Sequence, residues 1–214
     1  MPLVKPTVWT IQRRVLGNVV PALFWVPLAS FGLLWMAYRA ELTGLGLWFL
    51  FAASMVGWFS LNQFGLFQNS KMRRHLERLL KAKGEDFGGR VWFVGFASPR
   101  YSSLLDAHED VGFLRLLPDR LRFRSETRVV ELMRDQIVTV RFRMNVHSLV
   151  GLGRWVSVEA IADGQPIRLL LEVRDRATML ANLKRSRSFL DALKQWMSEP
   201  SVNKNDPSDS AGAK

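Results

Sequence analysis

The sequence predicts a membrane-anchored α+β protein: a two-helix transmembrane hairpin followed by a seven-strand antiparallel β sandwich or small barrel with a C-terminal helix. Three observations predict this fold class. Two long runs without a charged residue stand near the start of the chain, and seven short alternating segments follow in its second half. An amphipathic helical pattern then follows the last of these segments. The 214 residues leave room for one ordinary domain beside the hairpin.

The composition excludes several classes of protein. The chain has 30 Lys and Arg against 19 Asp and Glu, a net charge of +11, yet 48% of its residues are hydrophobic. Its 14 Phe and 8 Trp argue against disorder. We expect no nucleic-acid partner, because the sequence contains neither a helix-turn-helix nor an aromatic RNA-binding motif. The absence of Cys excludes disulfides, thiolate metal sites and cysteine nucleophiles.

The two uncharged runs predict transmembrane helices over 15–38 and 42–67. A helix needs about 20 apolar residues to cross the hydrocarbon core of a bilayer, and both runs reach that length. A buried hairpin of a soluble protein is the alternative, but it would show polar positions at helical spacing. Ser30 is the one polar residue between positions 22 and 36. The first run is also too long for the core of a cleaved signal peptide, so we expect it to be retained.

The charges that flank the two runs predict the orientation. Three basic residues precede the first run and six closely follow the second, whereas Arg39 is the one basic residue in the loop between them. Because the more positive side of a membrane protein stays in the cytoplasm, we expect an inner-membrane protein with both termini cytoplasmic, including residues 1–14. Ala53 and Gly57 have the spacing of a close helix–helix contact.

Residues 71–84 have the pattern of a basic amphipathic connector helix. Met72, Leu76, Leu79 and Leu80 recur at helical spacing, Gly84 ends the pattern, and Gly88 and Gly89 provide a hinge. The membrane-proximal basic residues of this segment are Lys71, Arg73, Arg74, Arg78, Lys81 and Lys83. Such a cluster attracts anionic lipid headgroups, or it serves only to fix the topology of the hairpin.

The cytoplasmic domain is predicted over 90–197. Its candidate strands are 91–97, 112–117, 120–125, 128–133, 136–143, 154–161 and 166–173. Pro118-Asp119 and Asp163-Gly164 fall where tight turns are required. A helix over 176–197 follows, with Asp175 as its predicted N-cap. Residues 198–214 are polar and are predicted to form a disordered tail.

Two segments of this domain, GFLRLLPDRLRF (112–123) and ELMRDQIVTV (131–140), resemble the pleckstrin-homology superfold and its GRAM-like and bacterial PH-like branches. Trp196, near the end of the last helix, is similar to a core tryptophan of that family. The resemblance implies seven antiparallel strands closed by one helix. It also implies a lipid-headgroup site at Arg115, Arg120 and Arg122, since lipid-binding members place basic residues across the first hairpin. The alternative is that these arginines form the solvated face of an edge strand.

Residues 144–153 (MNVHSLVGLG) form an apolar hairpin tip between two predicted strands. It folds back as a lid over the end of the sheet, or it enters the membrane interface, or it contacts a partner protein. Large exposed apolar patches are rare on folded domains, which favours the lid.

Catalysis has little support in the sequence. His108-Glu109-Asp110 and His147 are the candidates for acid–base chemistry, and they lack the spacing of a metal site. We therefore expect no metal, no cofactor and no enzymatic activity. The predicted function is a membrane-tethered binding or scaffolding domain with the bilayer, anionic headgroups or a protein as partners. The alternatives are a subunit of a larger membrane complex that acts through its hairpin, and an enzyme that uses the loop 98–110.

Overall fold

The computed structural model describes residues 6–39, 44–101 and 107–199. Three helices come first: α1 (Ile11–Arg39), α2 (Leu45–Phe64) and α3 (Asn69–Ala82). Seven strands follow: β1 (Val91–Ala97), β2 (Asp110–Leu116), β3 (Arg120–Ser125), β4 (Val129–Met133), β5 (Ile137–Arg143), β6 (Trp155–Ala162) and β7 (Gln165–Val173). Helix α4 (Met179–Ser198) is the last element. The predicted α+β class and the seven antiparallel strands are confirmed.

Helices α1 and α2 form an antiparallel hairpin that packs through small residues. A Cβ atom on Gly32 would lie 2.9 Å from the Gly46 carbonyl oxygen, so the two backbones approach closely there. Ala53 is buried in the same interface, and the Ser60 hydroxyl donates to the Pro21 carbonyl at 3.2 Å. Helix α1 and the α2–α3 stretch are each long enough and apolar enough to cross a membrane, as judged by length and composition only.

The strands form one antiparallel sheet in the order β4-β3-β2-β1-β7-β6-β5. Strand β1 is central, because it pairs with β2 on one side and with β7 on the other. The edge strands β4 and β5 do not pair with each other, so the sheet is open and the predicted sandwich or closed barrel is corrected. The alternation of polar and apolar residues predicts the individual strands. It does not show whether the two edge strands, β4 and β5, pair with each other to close the sheet.

Both faces of the central strands are covered. On one face α4 packs Phe189, Leu190, Leu193 and Trp196 into the main hydrophobic core. On the other face α3 packs Met72, Leu76 and Leu80 against Phe93 and Phe113, with Val8 and Trp9 from the segment before α1. The connector helix is therefore an integral layer of the domain.

The start of α4 differs from its prediction. Thr178 is the N-cap, and its hydroxyl accepts from the Ala181 amide at 3.4 Å. Asp175 instead accepts from the Phe93 amide at 2.9 Å and forms an ion pair with Arg73 at 3.6 Å. This aspartate joins α3, β1 and the end of β7. Residues 200–214, which make up nearly all of the predicted disordered tail, lie outside the described residues.

Candidate functional site

A cluster of polar side chains, four of them buried and His147 half-buried, lies where the helical hairpin meets the domain. Its members, here called the buried charge cluster, are Asn69, His108, His147, Glu172 and Arg174. Glu172 accepts from His108 Nε2 at 3.0 Å and lies 3.1 Å from His147 Nδ1. Arg174 donates through Nε to the Asn69 side-chain oxygen at 3.1 Å. The cluster therefore joins the start of α3 to β7 and to two loops.

The proton positions in the cluster follow from its geometry. Arg174 Nη1 lies 3.2 Å from His108 Nδ1. A guanidinium can only donate, so His108 Nδ1 is the acceptor and its proton is on Nε2, which faces Glu172. Arg174, His108 and Glu172 thus form a hydrogen-bonded chain that links a buried cation to a buried anion.

Glu172 is ionised despite its burial. Burial by itself raises the pKa of this carboxyl, but the hydrogen bonds that His108 and His147 make to it outweigh that effect and lower the pKa well below its usual range. Arg174 also lies over the Trp9 ring, with 5.0 Å between the guanidinium carbon and the ring centroid.

The cluster is closed to substrates. The cavity beside it, lined by Leu66, His108, His147, Glu172 and neighbouring residues, has a volume of about 10 Å³. One water molecule needs about that much space, so the cluster holds the two parts of the molecule together and offers no room for a ligand.

His108, Glu109 and Asp110, the candidates for acid–base chemistry, contact separate partners. Burial raises the pKa of Glu109, but Arg128 at 2.5 Å and Ser98 outweigh it, so the pKa is lowered. Asp110 accepts from the Ser125 hydroxyl at 2.5 Å, and burial raises its pKa. His108 belongs to the buried charge cluster. Residues 102–106 of the loop lie outside the described parts of the chain, and within those parts no three His, Asp or Glu side chains are placed to hold a metal ion.

Arg115, Arg120 and Arg122, the predicted headgroup site, lie together near the β2–β3 turn, and each faces a carboxylate. Arg120 lies 2.8 Å from Asp119, and Arg122 lies 3.0 Å from Glu131. Arg115 lies 3.4 Å from Asp86 and also donates to the Asp86 and Gly88 carbonyls. A phosphate would have to compete with these acids, and headgroup binding here stays a prediction.

The exposed side of α3 forms a second basic surface, here called the basic groove. This groove of about 570 Å³ is lined by Arg13, Lys71, Arg74, His75, Glu77, Arg78 and Lys81. Glu77 is the one carboxylate among these lining residues, and it pairs with Lys81 at 2.8 Å. Four of the six predicted membrane-proximal basic residues line it. Arg73 turns away to Asp175, and Lys83 is the C-cap of α3.

The hairpin tip between β5 and β6 is divided between two environments. Leu152 is buried against Leu66 and Met179, as a lid would be. Met144, Val146, Leu149 and Val150 are exposed. The Trp58 indole of α2 donates to the Val150 carbonyl at 2.9 Å, so the tip rests against the helical hairpin.

Sequence reasoning missed Asn69, Glu172 and Arg174. A weak signal exists, because Glu172 and Arg174 alternate with Leu171 and Val173 at the end of an apolar strand and therefore share its opposite face. Asn69 belongs, in the sequence, to the polar residues at the end of the second uncharged run. Its pairing with Arg174, 105 residues away, depends on the tertiary fold.

Comparisons with known proteins give no family. No protein-family model matches the chain, and no curated protein does. Among solved structures, the chain is similar to the C-terminal domain of an unknown protein from Leishmania infantum, with 15% sequence identity and a TM-score of 0.34. That match covers 56% of this chain and 93% of the other.

Proposed function

We propose that this chain is a two-span inner-membrane protein whose PH-like domain is held against the cytoplasmic face of the bilayer as a non-catalytic binding or scaffolding module. The observation that carries the proposal is the outward surface of the α1–α2 hairpin. Leu23, Phe24, Leu34, Trp48, Phe51 and Phe59 are among the large apolar side chains that it exposes.

The burial of these helices supports a lipid surround. In the most apolar stretch of α1, 11% of the residues are buried, and in that of the α2–α3 stretch (Leu45–Ala82), 17%. The core helix of a soluble protein would be mostly buried. Here the small residues face the partner helix and the large apolar residues face outward, which is the arrangement expected when lipid replaces a protein core.

The junction supports the position of the domain. Arg14 donates to the Glu109 carbonyl at 2.9 Å, and Thr7 and Val8 bond to the Glu126 carboxylate at the β3–β4 turn. Together with the buried charge cluster, these contacts tie the domain to the cytoplasmic ends of both helices. Seven antiparallel strands followed by one helix also support the PH-like assignment.

The absence of native cysteine makes a direct test possible. Single-cysteine variants Arg39→Cys, at the end of α1 that faces the α1–α2 loop, and Lys194→Cys, on the exposed side of α4, are expressed in cells and treated with a membrane-impermeant maleimide. We expect Arg39→Cys to be labelled from outside, and Lys194→Cys to be labelled only after the inner membrane is opened. Labelling of Lys194→Cys from outside, or release of the protein by alkaline carbonate, would contradict the proposal.

A further inference from the structure

We propose that the hairpin tip (144–153) is a third membrane-inserted element, which enters the lipid beside α2. The inference rests on the proposed function, because it takes α1 and α2 as the spans. The exposed apolar residues of the tip would then contact the boundary between the acyl chains and the headgroups of the bilayer.

The depth of the tip follows first from α2. This helix has 20 residues, which at 1.5 Å each is about the 30 Å of a hydrocarbon core, so its whole length is needed to cross. Trp58 lies six residues before Phe64, the last residue of α2, or about 9 Å inside that end. Because the Trp58 indole bonds to the Val150 carbonyl, Val150 lies close to that depth.

Helix α1 gives an independent measure of the same depth. Gly57, next to Trp58, lies against Trp25 of α1, where a Cβ atom added to the glycine would be 3.3 Å from the Trp25 ring. Trp25 follows Arg14, the last charged residue before the uncharged run, by eleven residues, or about 16 Å along the helix. Both helices therefore place Val150 on the lipid side of the flanking charges.

The side chains of the tip suit lipid. Met144 and Leu149 are each 75% exposed, and Val146 is 59% exposed. The segment has no Asp, Glu, Lys or Arg, and its one titratable side chain, His147, turns inward to Glu172. The tip adjoins α2 through the hydrogen bond between Trp58 and Val150. A patch of this kind is rare in water, and lipid covers it without a further protein.

The backbone of the tip is also prepared for a medium without water. A lipid-exposed segment must satisfy its polar groups internally. Asn145 accepts from the Ser148 amide at 2.9 Å, and the Ser148 hydroxyl donates to the Gly153 carbonyl at 2.7 Å. The Gly151 amide donates to the Ser148 carbonyl at 3.2 Å, and the Val150 carbonyl accepts a hydrogen bond from the Trp58 indole.

The test uses spin labels on single-cysteine variants of the full chain in vesicles of phosphatidylethanolamine and phosphatidylglycerol. Leu149→Cys and Val146→Cys report on the tip, Leu23→Cys is the reference in the span, and Lys194→Cys is the aqueous reference. Lys194 lies fifteen residues after Met179, about 22 Å along α4. The measurement is the collision rate of each label with oxygen, which concentrates in lipid, and with a water-soluble nickel complex.

We expect the tip labels to collide several-fold more with oxygen than with nickel, as Leu23→Cys does, and Lys194→Cys to show the reverse. An aqueous ratio at both tip positions, with a lipid ratio at Leu23→Cys, overturns the inference and leaves the anchor intact. An aqueous ratio at Leu23→Cys overturns the proposed function itself. A third outcome is that the tip labels are protected from nickel but show no increase in collisions with oxygen, while Leu149→Cys labels broaden each other's spectra by dipolar coupling. This outcome would show that a second copy of the chain covers the tip, and it also overturns the inference.

Discussion

At the residue scale, Glu172 connects three separate segments of the chain. It bonds to His108 of the β1–β2 loop, and to Asn145 and His147 of the hairpin tip. The Glu172 carboxylate is nearly inaccessible to water. Its charge is compensated by these partners and by Arg174, which is linked to it through His108. Removal of one charge from such a group leaves the opposite charge buried without compensation.

We expect Glu172→Gln to lower the free energy of unfolding by about 3 kcal/mol, since the glutamine keeps the shape of the side chain but leaves Arg174 without its counter-charge. Thermal unfolding of the detergent-solubilised protein, followed by tryptophan fluorescence, measures the change. Glu77→Gln is the matched control, because Glu77 pairs with Lys81 on the surface of α3. Its unfolding midpoint should stay close to that of the parent protein, and equal losses in the two variants would contradict this prediction.

The lowered pKa of Glu172 also predicts how stability depends on pH. A carboxyl whose pKa is lower in the folded than in the unfolded state stabilises the fold fully above its unfolded pKa, and the contribution falls as the pH drops toward the folded value. The stability difference between the parent and Glu172→Gln should therefore be constant from neutral pH to roughly pH 5 and should shrink below the usual carboxyl pKa of about 4.3. Unfolding midpoints of both proteins, measured from neutral pH to pH 3, test this. A difference that grows on acidification would contradict the assignment of charge.

The sequence singled out His108 and His147 only as candidates for acid–base chemistry, with little support for catalysis. Histidine is a reasonable candidate for that chemistry in any sequence, and its partner is what decides its role. Here the partners are Glu172 and Arg174, which are 64 or more residues away from His108, and no local pattern carries that information.

At the element scale, α3 differs most from what its pattern suggested. The period of its apolar residues correctly predicted a helix, and Gly84, with φ of +79°, follows its end. The pattern did not reveal what the apolar face contacts. This face packs against β1 and β2, on the side of the sheet opposite α4. The sequence of β1, VWFVGFA, is apolar at nearly every position, which is typical of a strand that is covered on both faces.

This packing determines which basic residues are available to a ligand. With its apolar face on the sheet, α3 turns Arg74 and Arg78 outward into the basic groove, next to Arg13 at the start of α1. The arginines of the predicted headgroup site instead face Asp86, Asp119 and Glu131. The basic groove is therefore the better candidate for anionic lipid headgroups.

We expect phosphatidylglycerol, but not phosphatidylcholine, to raise the unfolding temperature of the detergent-solubilised protein, because an anionic headgroup bound in the basic groove stabilises the folded state. The double variant Arg74→Glu/Arg78→Glu should abolish the shift. The control Lys184→Glu/Arg187→Glu makes the same change of charge on the exposed side of α4 and should keep the shift. Loss of the shift in both double variants would indicate a response to net charge alone.

At the scale of the whole molecule, the hairpin and the domain form one connected body. The sequence suggested a connector with a hinge at Gly88 and Gly89. In the structure, Arg115 donates to the carbonyls of Asp86 and Gly88, and Glu85 pairs with Arg122 at 3.1 Å, so this segment is attached to β2 and β3. Sequence patterns identify the elements, but the contacts that remove freedom from a connector lie between distant positions.

A narrow distance distribution between the hairpin and the domain is the expected consequence. Spin labels at Leu47→Cys, on the exposed side of α2, and at Lys194→Cys, on α4, report the distance in a dipolar measurement. A single narrow peak is expected from the contacts of the buried charge cluster and of α3. The matched pair Leu47→Cys and Leu23→Cys, both within the hairpin, gives the width of a rigid pair, and a much broader peak for the first pair would indicate a free hinge.

The contacts of the segment before α1 affect the order in which the protein is made. Thr7 bonds to Glu126, and Trp9 lies under Arg174, so these residues finish folding only after most of the chain has been synthesised. At about 5–20 residues per second, the interval between Trp9 and Arg174 is roughly 10–30 s. During that time α1 has been synthesised, but the segment before it still lacks the partners that it contacts in the folded protein. In the two-span arrangement proposed above, the hairpin therefore has time to enter the bilayer before the domain closes on the segment that precedes α1.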